Sequence, residues 1–129
     1  MNPRVEHGDL DRWVLTLDEA VSAAPDEAAK VVEKGALNIK DGWRRRWSGH
    51  AHAPALPNAV TYDTYRGLRG PGAEIGPDKD KRQGDLGNLF EYGSVNNAPI
   101  PGGAPSVAEE LPRYEQAMED LSVRLLEGR

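Results

Sequence analysis

Apolar positions repeat along this chain with two different periods, and the switch between them marks its elements. The first pattern is Thr16-Leu17-Asp18-Glu19, a hydroxyl followed three residues later by a carboxylate, which is a capping box and predicts a short helix to about Ala24. Pro25 suits only the first turn of a helix, and Asp26 and Glu27 beside it complement the positive helix terminus, so a second, longer helix starts there. Along it Ala28, Val32, Gly35 or Ala36, Ile39, Trp43 and Trp47 recur every three to four residues and form one stripe. Gly35 and Gly42 weaken a helix interior by about 1 kcal/mol each relative to Ala, which points to a close neighbour at those positions.

The period then shortens. Residues 48–58, with two prolines and no period, read as a loop, and Ala59 to Tyr65 is rich in β-branched and aromatic residues and reads as a strand. A glycine-proline turn over Gly67 to Gly72 leads to Ala73-Glu74-Ile75-Gly76, which pairs back antiparallel. Pro77 to Asn88 is a charged loop, Leu89 to Gly93 a short apolar piece, and Ser94 to Pro105 an irregular stretch with three further prolines. Ser106-Val107-Ala108-Glu109 is a second capping box, after which Val107, Leu111, Tyr114, Met118, Leu121 and Leu125 define an amphipathic helix to about Glu127, with a kink expected at Pro112. The fold class is α+β: a small antiparallel sheet flanked by the long helix and the terminal helix, as a single domain over residues 16–129 behind an extended arm over residues 1–15.

Composition sharpens this picture. Leu, Ile, Val and Phe make up only 25 of 129 residues, close to the ~20% level below which chains tend to stay disordered. Three long loops in so small a domain, with a thin core, imply that part of the burial comes from other copies or partners. The net charge of −5 gives no global field for nucleic acid. No apolar run approaches the ~20 residues of a membrane span, and no leader-like start is visible, so the chain is expected to be soluble with no membrane partner. The absence of cysteine removes disulfides and thiolate chemistry.

Candidate chemistry is sparse. His50 and His52 lie two apart in a Pro-Ala loop with no third histidine near in sequence, and Asp78, Asp80 and Asp85 fit a calcium loop poorly, since Arg82 occupies a ligand position and Gly84 falls one place late. No metal, no cofactor and no catalytic constellation are expected, and the chain is not read as an enzyme. Trp43-Arg44-Arg45-Arg46-Trp47 is the densest signal, and three readings fit it. The tryptophans belong to the core stripe while the arginines cap the helix C-terminus; or the cluster is a protein interface; or it is a small nucleic-acid-binding module.

At several points the pattern resembles a bacteriophage family. They are Val31 to Lys40 in the long helix, Ala53-Pro54 in the following loop, Ile75-Gly76-Pro77 at the end of the strand pair, Leu89-Phe90-Glu91-Tyr92-Gly93-Ser94, and Ala104-Pro105 leading into the last helix. This looks like the tail-component or tail-completion (neck) family of long-tailed phages, the gene-product-ten type of the lambdoid group, over residues 16–127. Its most specific mark is Glu-aromatic-Gly-Ser/Thr, here Glu91 to Ser94. The chain departs from the family between its prolines, where Pro99-Ile100-Pro101-Gly102-Gly103-Ala104-Pro105 stands in place of an aromatic and an apolar anchor.

The resemblance implies a virion structural protein assembled in the bacterial cytoplasm. It would form a homo-oligomeric ring, a hexamer to match the tail tube, between a stopper or connector and the tail terminator or tube, with genomic DNA only as passing cargo. A tail terminator is the sister role. The resemblance further implies that Phe90 and Tyr92 anchor the motif beside the sheet, that Gly93 permits a turn, and that Glu91 pairs with a basic residue among Arg44 to Arg46.

Overall fold

The computed structural model describes residues 2–7, 12–18, 25–67 and 70–128. Its elements in chain order are β1 (Asn2–His7), β2 (Trp13–Asp18), α1 (Pro25–Trp47), α2 (Leu56–Ala59), β3 (Val60–Gly67), β4 (Gly70–Pro77), a 3-10 turn (Gly84–Leu86), α3 (Gly87–Tyr92) and α4 (Gly103–Leu126). The strands form one antiparallel sheet in the order β1-β2-β4-β3. The class is α+β, with the long helix and the C-terminal helix flanking the sheet.

Register explains which face is covered. Val5 lies opposite Leu15, Leu15 opposite Ala73, Trp13 opposite Ile75 and Ile75 opposite Tyr62, and residues directly opposite share a face. Leu15, Ala73 and Ile75 are fully buried there beneath the helices. The α1 stripe matches this surface, because Ala28, Val32, Ala36, Ile39, Trp43 and Trp47 are each at most 1% exposed. Helix α4 crosses α1 in the reverse direction. Arg46 meets Ser106, Asn38 meets Glu110 and Arg124 meets Glu27, so rising numbers on one helix match falling numbers on the other. Gly35 is where three elements converge. A Cβ there would lie 2.9 Å from Leu15 of β2 and 2.9 Å from the Tyr114 ring of α4, which is the close approach its place in a helix implied.

Strand β3 is clamped along α1 by polar contacts. The Arg44 Nε donates to the Val60 carbonyl at 2.9 Å, the Lys40 ammonium sits 5.5 Å from the Tyr62 ring centre, and Arg66 pairs with Asp26 at 3.1 Å. Burial, and then the nearby Glu33 carboxylate, raise the Tyr62 phenol above its ordinary value.

Both capping boxes need correction. Thr16 does not cap a helix; it lies in β2, paired with Arg4 and Gly72, and residues 19–24 fall outside the described residues. Of the residues set apart as an extended arm, 2–7 form β1 and 13–15 the first half of β2. Alternation of Trp13, Val14, Leu15 and Thr16 is a strand pattern, and burial of Leu15 between β4 and the helices outweighs the local capping signal. The second capping box fails as well: α4 begins at Gly103, so Ser106 and Glu109 are already inside it. The short apolar piece Leu89 to Gly93 lies in α3 with Gly93 as its C-cap, and Pro112 lies within α4, which runs as one element.

The loops are braced from within the chain. Arg12 donates to the carbonyls of Glu74, Gly76, Pro77 and Thr61, so it serves the backbone at the end of β4 where β2 has not yet begun. Gln83, in the left-handed region at φ 63°, accepts from the Ala55 amide at 2.6 Å and donates to the His52 carbonyl, tying the 50s loop to the charged loop.

Gly35→Ala sets a helix-propensity gain of up to about 1 kcal/mol against overpacking of about 1–3 kcal/mol between Leu15 and Tyr114. The Tyr114 ring cannot swing away as a flexible chain end would, so a net loss of about 1 kcal/mol is expected in a denaturant titration.

Candidate functional site

The residues singled out in the sequence meet at one end of the α1–α4 pair. Trp43 and Trp47 are core residues, 1% and 0% exposed, packed edge to face with ring centres 5.6 Å apart. Full burial of two indoles contributes roughly 4–6 kcal/mol each as an upper figure. Neither offers a face to a nucleic-acid base. The three arginines between them are used inside the chain: Arg44 on Val60, and Arg45 and Arg46 on Glu109 at 3.3 and 2.6 Å, with Arg46 also donating to the Ser106 hydroxyl at 3.1 Å. The tryptophans thus belong to the core stripe, and the arginines reach out to Val60 and Glu109.

Helix α3 brings the second group onto the first. Phe90 packs edge to face on Trp47 at 5.8 Å and on His50 at 5.3 Å, which is where that histidine's ring is engaged. The Phe90 carbonyl accepts from the Ile100 amide at 2.6 Å, while the Trp47 indole N–H donates to the Ile100 carbonyl at 2.8 Å. Both backbone groups of Ile100 are thereby held. Tyr92 is half exposed, with its hydroxyl 2.9 Å from the His7 imidazole of β1. His7 in turn meets Trp13 edge to face at 5.3 Å. Phe90 thus anchors on α1, and Tyr92 reaches the sheet's edge strand.

Glu91 does not pair with Arg44, Arg45 or Arg46. Its Oε1 accepts from the amides of Gly102 and Gly103 at 3.1 and 2.9 Å, so a carboxylate eleven residues upstream caps α4. This serves amides that no neighbouring side chain satisfies, and it sets a negative charge at the positive end of a long helix. The cap works because Gly102 and Gly103 lie flat on the indoles. A Cβ on Gly102 would come within 2.5 Å of Trp43 and 2.9 Å of Trp47, and one on Gly103 within 2.7 Å of Trp43. Between Pro101 and Pro105 the two glycines leave room for the tryptophans of α1.

Gly93 closes α3 at φ 75° and ψ −170°, a conformation that side chains avoid, and a Cβ there would sit 2.7 Å from the Asn97 carbonyl. Ser94 follows at once and pairs with Asn97 in an isolated bridge. Outside this cluster, His52 meets Gln83 only through its carbonyl, and Asp78 uses its carboxylate to accept from the Asp80 amide. Among the described residues no group of three or more His, Cys, Asp or Glu could hold a metal ion, and no helix is long and apolar enough to cross a membrane.

Sequence reasoning missed Arg12, Gln83 and the Gly102-Gly103 pair. The adjacent glycines next to a proline were the one visible signal.

Three outcomes follow from this geometry. Gly93→Ala is expected to cost about 2 kcal/mol and Glu91→Ala about 1–2 kcal/mol, each read as a lower denaturation midpoint. The Glu109 carboxyl is held below its ordinary value of 4.5, first by the Arg46 hydrogen bond and then by the charges of Arg46, Arg45 and Arg113. A depressed carboxyl stabilises the fold above its unfolded value and loses that effect as pH falls through the lower folded value. Wild type should therefore exceed Glu109→Gln in stability at neutral pH, and the difference should vanish in denaturation curves recorded progressively further below pH 4.5. Set beside protein families, curated proteins and solved structures, the chain matches no family model, no curated protein and no solved structure.

Proposed function

We propose that this chain is a structural subunit of a phage neck, one copy of a ring at the head-to-tail junction that completes the tail and lets DNA pass. The observation that carries the reading is the role of Glu91 to Ser94, the string on which the resemblance turns. In this fold the four residues build a clasp: Glu91 caps α4, Gly93 makes the turn, and Ser94 opens the hairpin. A motif used in this way serves architecture and leaves no side chain poised for group transfer. A net charge of −5 fits a subunit past which DNA moves without adhering. The nucleic-acid-binding alternative loses its main support, since both tryptophans are buried and Arg44, Arg45 and Arg46 are engaged within the chain.

Disrupting the gene in a phage that carries it, followed by electron microscopy of the lysate, tests the reading. Filled heads beside detached tails of normal length are expected. Overlong tails would assign the terminator role instead, and intact infectious particles lacking the protein would overturn the neck assignment.

A further inference from the structure

The sheet ends in two edge strands, β1 and β3. In an antiparallel ladder, residues that exchange hydrogen bonds with the neighbouring strand alternate with residues whose amide and carbonyl point the other way. The Asp78 amide donates to the Ala59 carbonyl at 2.7 Å, one step before the register pairs Val60 with Pro77. Alternation from that bond gives Thr61, Asp63 and Tyr65 to β4 and turns the backbone of Val60, Tyr62, Thr64 and Arg66 away from the sheet. The prolines agree, because Pro77 and Pro71, which have no amide to give, stand opposite Val60 and Arg66. Val60 is served within the chain, its amide by the Pro57 carbonyl and its carbonyl by Arg44. The amides and carbonyls of Tyr62, Thr64 and Arg66 have no hydrogen-bond partner among the described residues.

An edge strand left open in this way is a template for another strand, and folded proteins normally blunt it with proline, lysine or a covering segment. At β1 the blunting is present: the same alternation faces Pro3 outward, and the Tyr92 hydroxyl stands 2.9 Å from His7. Strand β3 runs for 8 residues with neither proline nor lysine, and residues 63–67 are exposed. Its Val60-Thr61-Tyr62-Asp63-Thr64-Tyr65 run is dominated by β-branched and aromatic residues, which suit a ladder.

A strand added beside β3 sets alternate side chains over the helix-covered face, next to Tyr62, Thr64 and Arg66. A cleft of about 340 Å³ opens there between α1 and β3, lined in part by Ala29, Val32, Glu33, Thr64 and Arg66. Arg66 is already paired with Asp26 at 3.1 Å. Glu33 is exposed, with the Tyr62 hydroxyl at 3.4 Å and no cation paired to it among the described residues. The unmatched charge of the cleft is therefore negative, on a chain whose net charge is −5. A second copy of β3 is the wrong occupant, since its single cation is Arg66, which Asp26 holds. We propose that the open edge of β3 takes up an extended segment of a different protein as a further strand, with a lysine or arginine of that segment seated in the cleft beside Glu33. Main-chain hydrogen bonds supply the affinity, and the cleft supplies the choice of side chain. The proposal stands apart from the neck reading and does not need it.

Selection of random linear peptides on the immobilised full-length chain, followed by synthesis of the enriched sequence, provides the probe. Enriched peptides are expected to carry a lysine or arginine among β-branched residues. In amide hydrogen exchange by NMR, Tyr62, Thr64 and Arg66 should exchange fast in the free wild type and slowly with peptide bound, while Thr61, Asp63 and Tyr65 are slow throughout. Thr64→Pro removes one outward amide without touching a β3–β4 bond and should weaken peptide binding about tenfold. Glu33→Lys should weaken it about tenfold as well, and should bind like the wild type once the peptide's basic residue is replaced by glutamine. Selection that yields no binder, protection at other amides, or undiminished binding of the basic peptide to Glu33→Lys would overturn the proposal. Protection of the same three amides that rises with protein concentration alone would make the occupant a second copy, and would overturn it too. The disrupted gene decides the neck reading separately, whichever way these measurements fall.

Discussion

The fold depends on how closely the start of α4 can approach two tryptophans. Trp43 and Trp47 lie one turn apart at the end of α1, and Gly102 and Gly103 rest on their rings with no side chain between. That contact sets the crossing point of the two long helices, and the Tyr114 and Gly35 contact further along continues it. It also brings Ile100 within reach of the Trp47 indole and the Phe90 carbonyl, and the α4 amides within reach of Glu91. A helix start this close to aromatic rings excludes water from its free amides, so a remote carboxylate in that place matters more than it would on the surface.

This makes one unit of segments that are irregular in sequence. Helix α3 and the proline-glycine stretch are tied to α1 and α4 by named contacts, and the Ser94–Asn97 turn between them is braced by its own hydrogen bonds. The outcome is a core of modest size with an outer segment that is cross-braced by hydrogen bonds and apolar at its tip.

The long helices were legible because a stripe such as Ala28 to Trp47 or Val107 to Leu125 carries its period in the sequence itself. The β3–β4 hairpin was legible for a related reason, since its pairing is local. The first two strands were not: Leu15 pairs with Ala73, 58 positions away, and no local pattern encodes that partner, whereas Thr16 to Glu19 mimics a helix start. Likewise Ser106 to Glu109 carries capping residues, but the glycines ahead of them let the helix begin earlier, and Arg45 and Arg46 claim Glu109 for an ion pair. In the site, the turn at Gly93 is what the resemblance implies. The partner of Glu91 could not be read in this way, because a carboxylate near an arginine cluster suggests a charge pair, and only the tertiary approach of two backbone amides replaces it.

Amide hydrogen exchange in the Trp47→Phe variant tests this account most directly. Phenylalanine keeps an aromatic ring in the core but removes the N–H that holds the Ile100 carbonyl. With the account correct, the amides of Ile100, Gly102 and Gly103 exchange slowly in the wild type and together become faster in the variant, while those of the β3–β4 hairpin keep their protection. Unchanged protection at the three amides would contradict the claim that the tryptophan clamp holds the start of α4 in place.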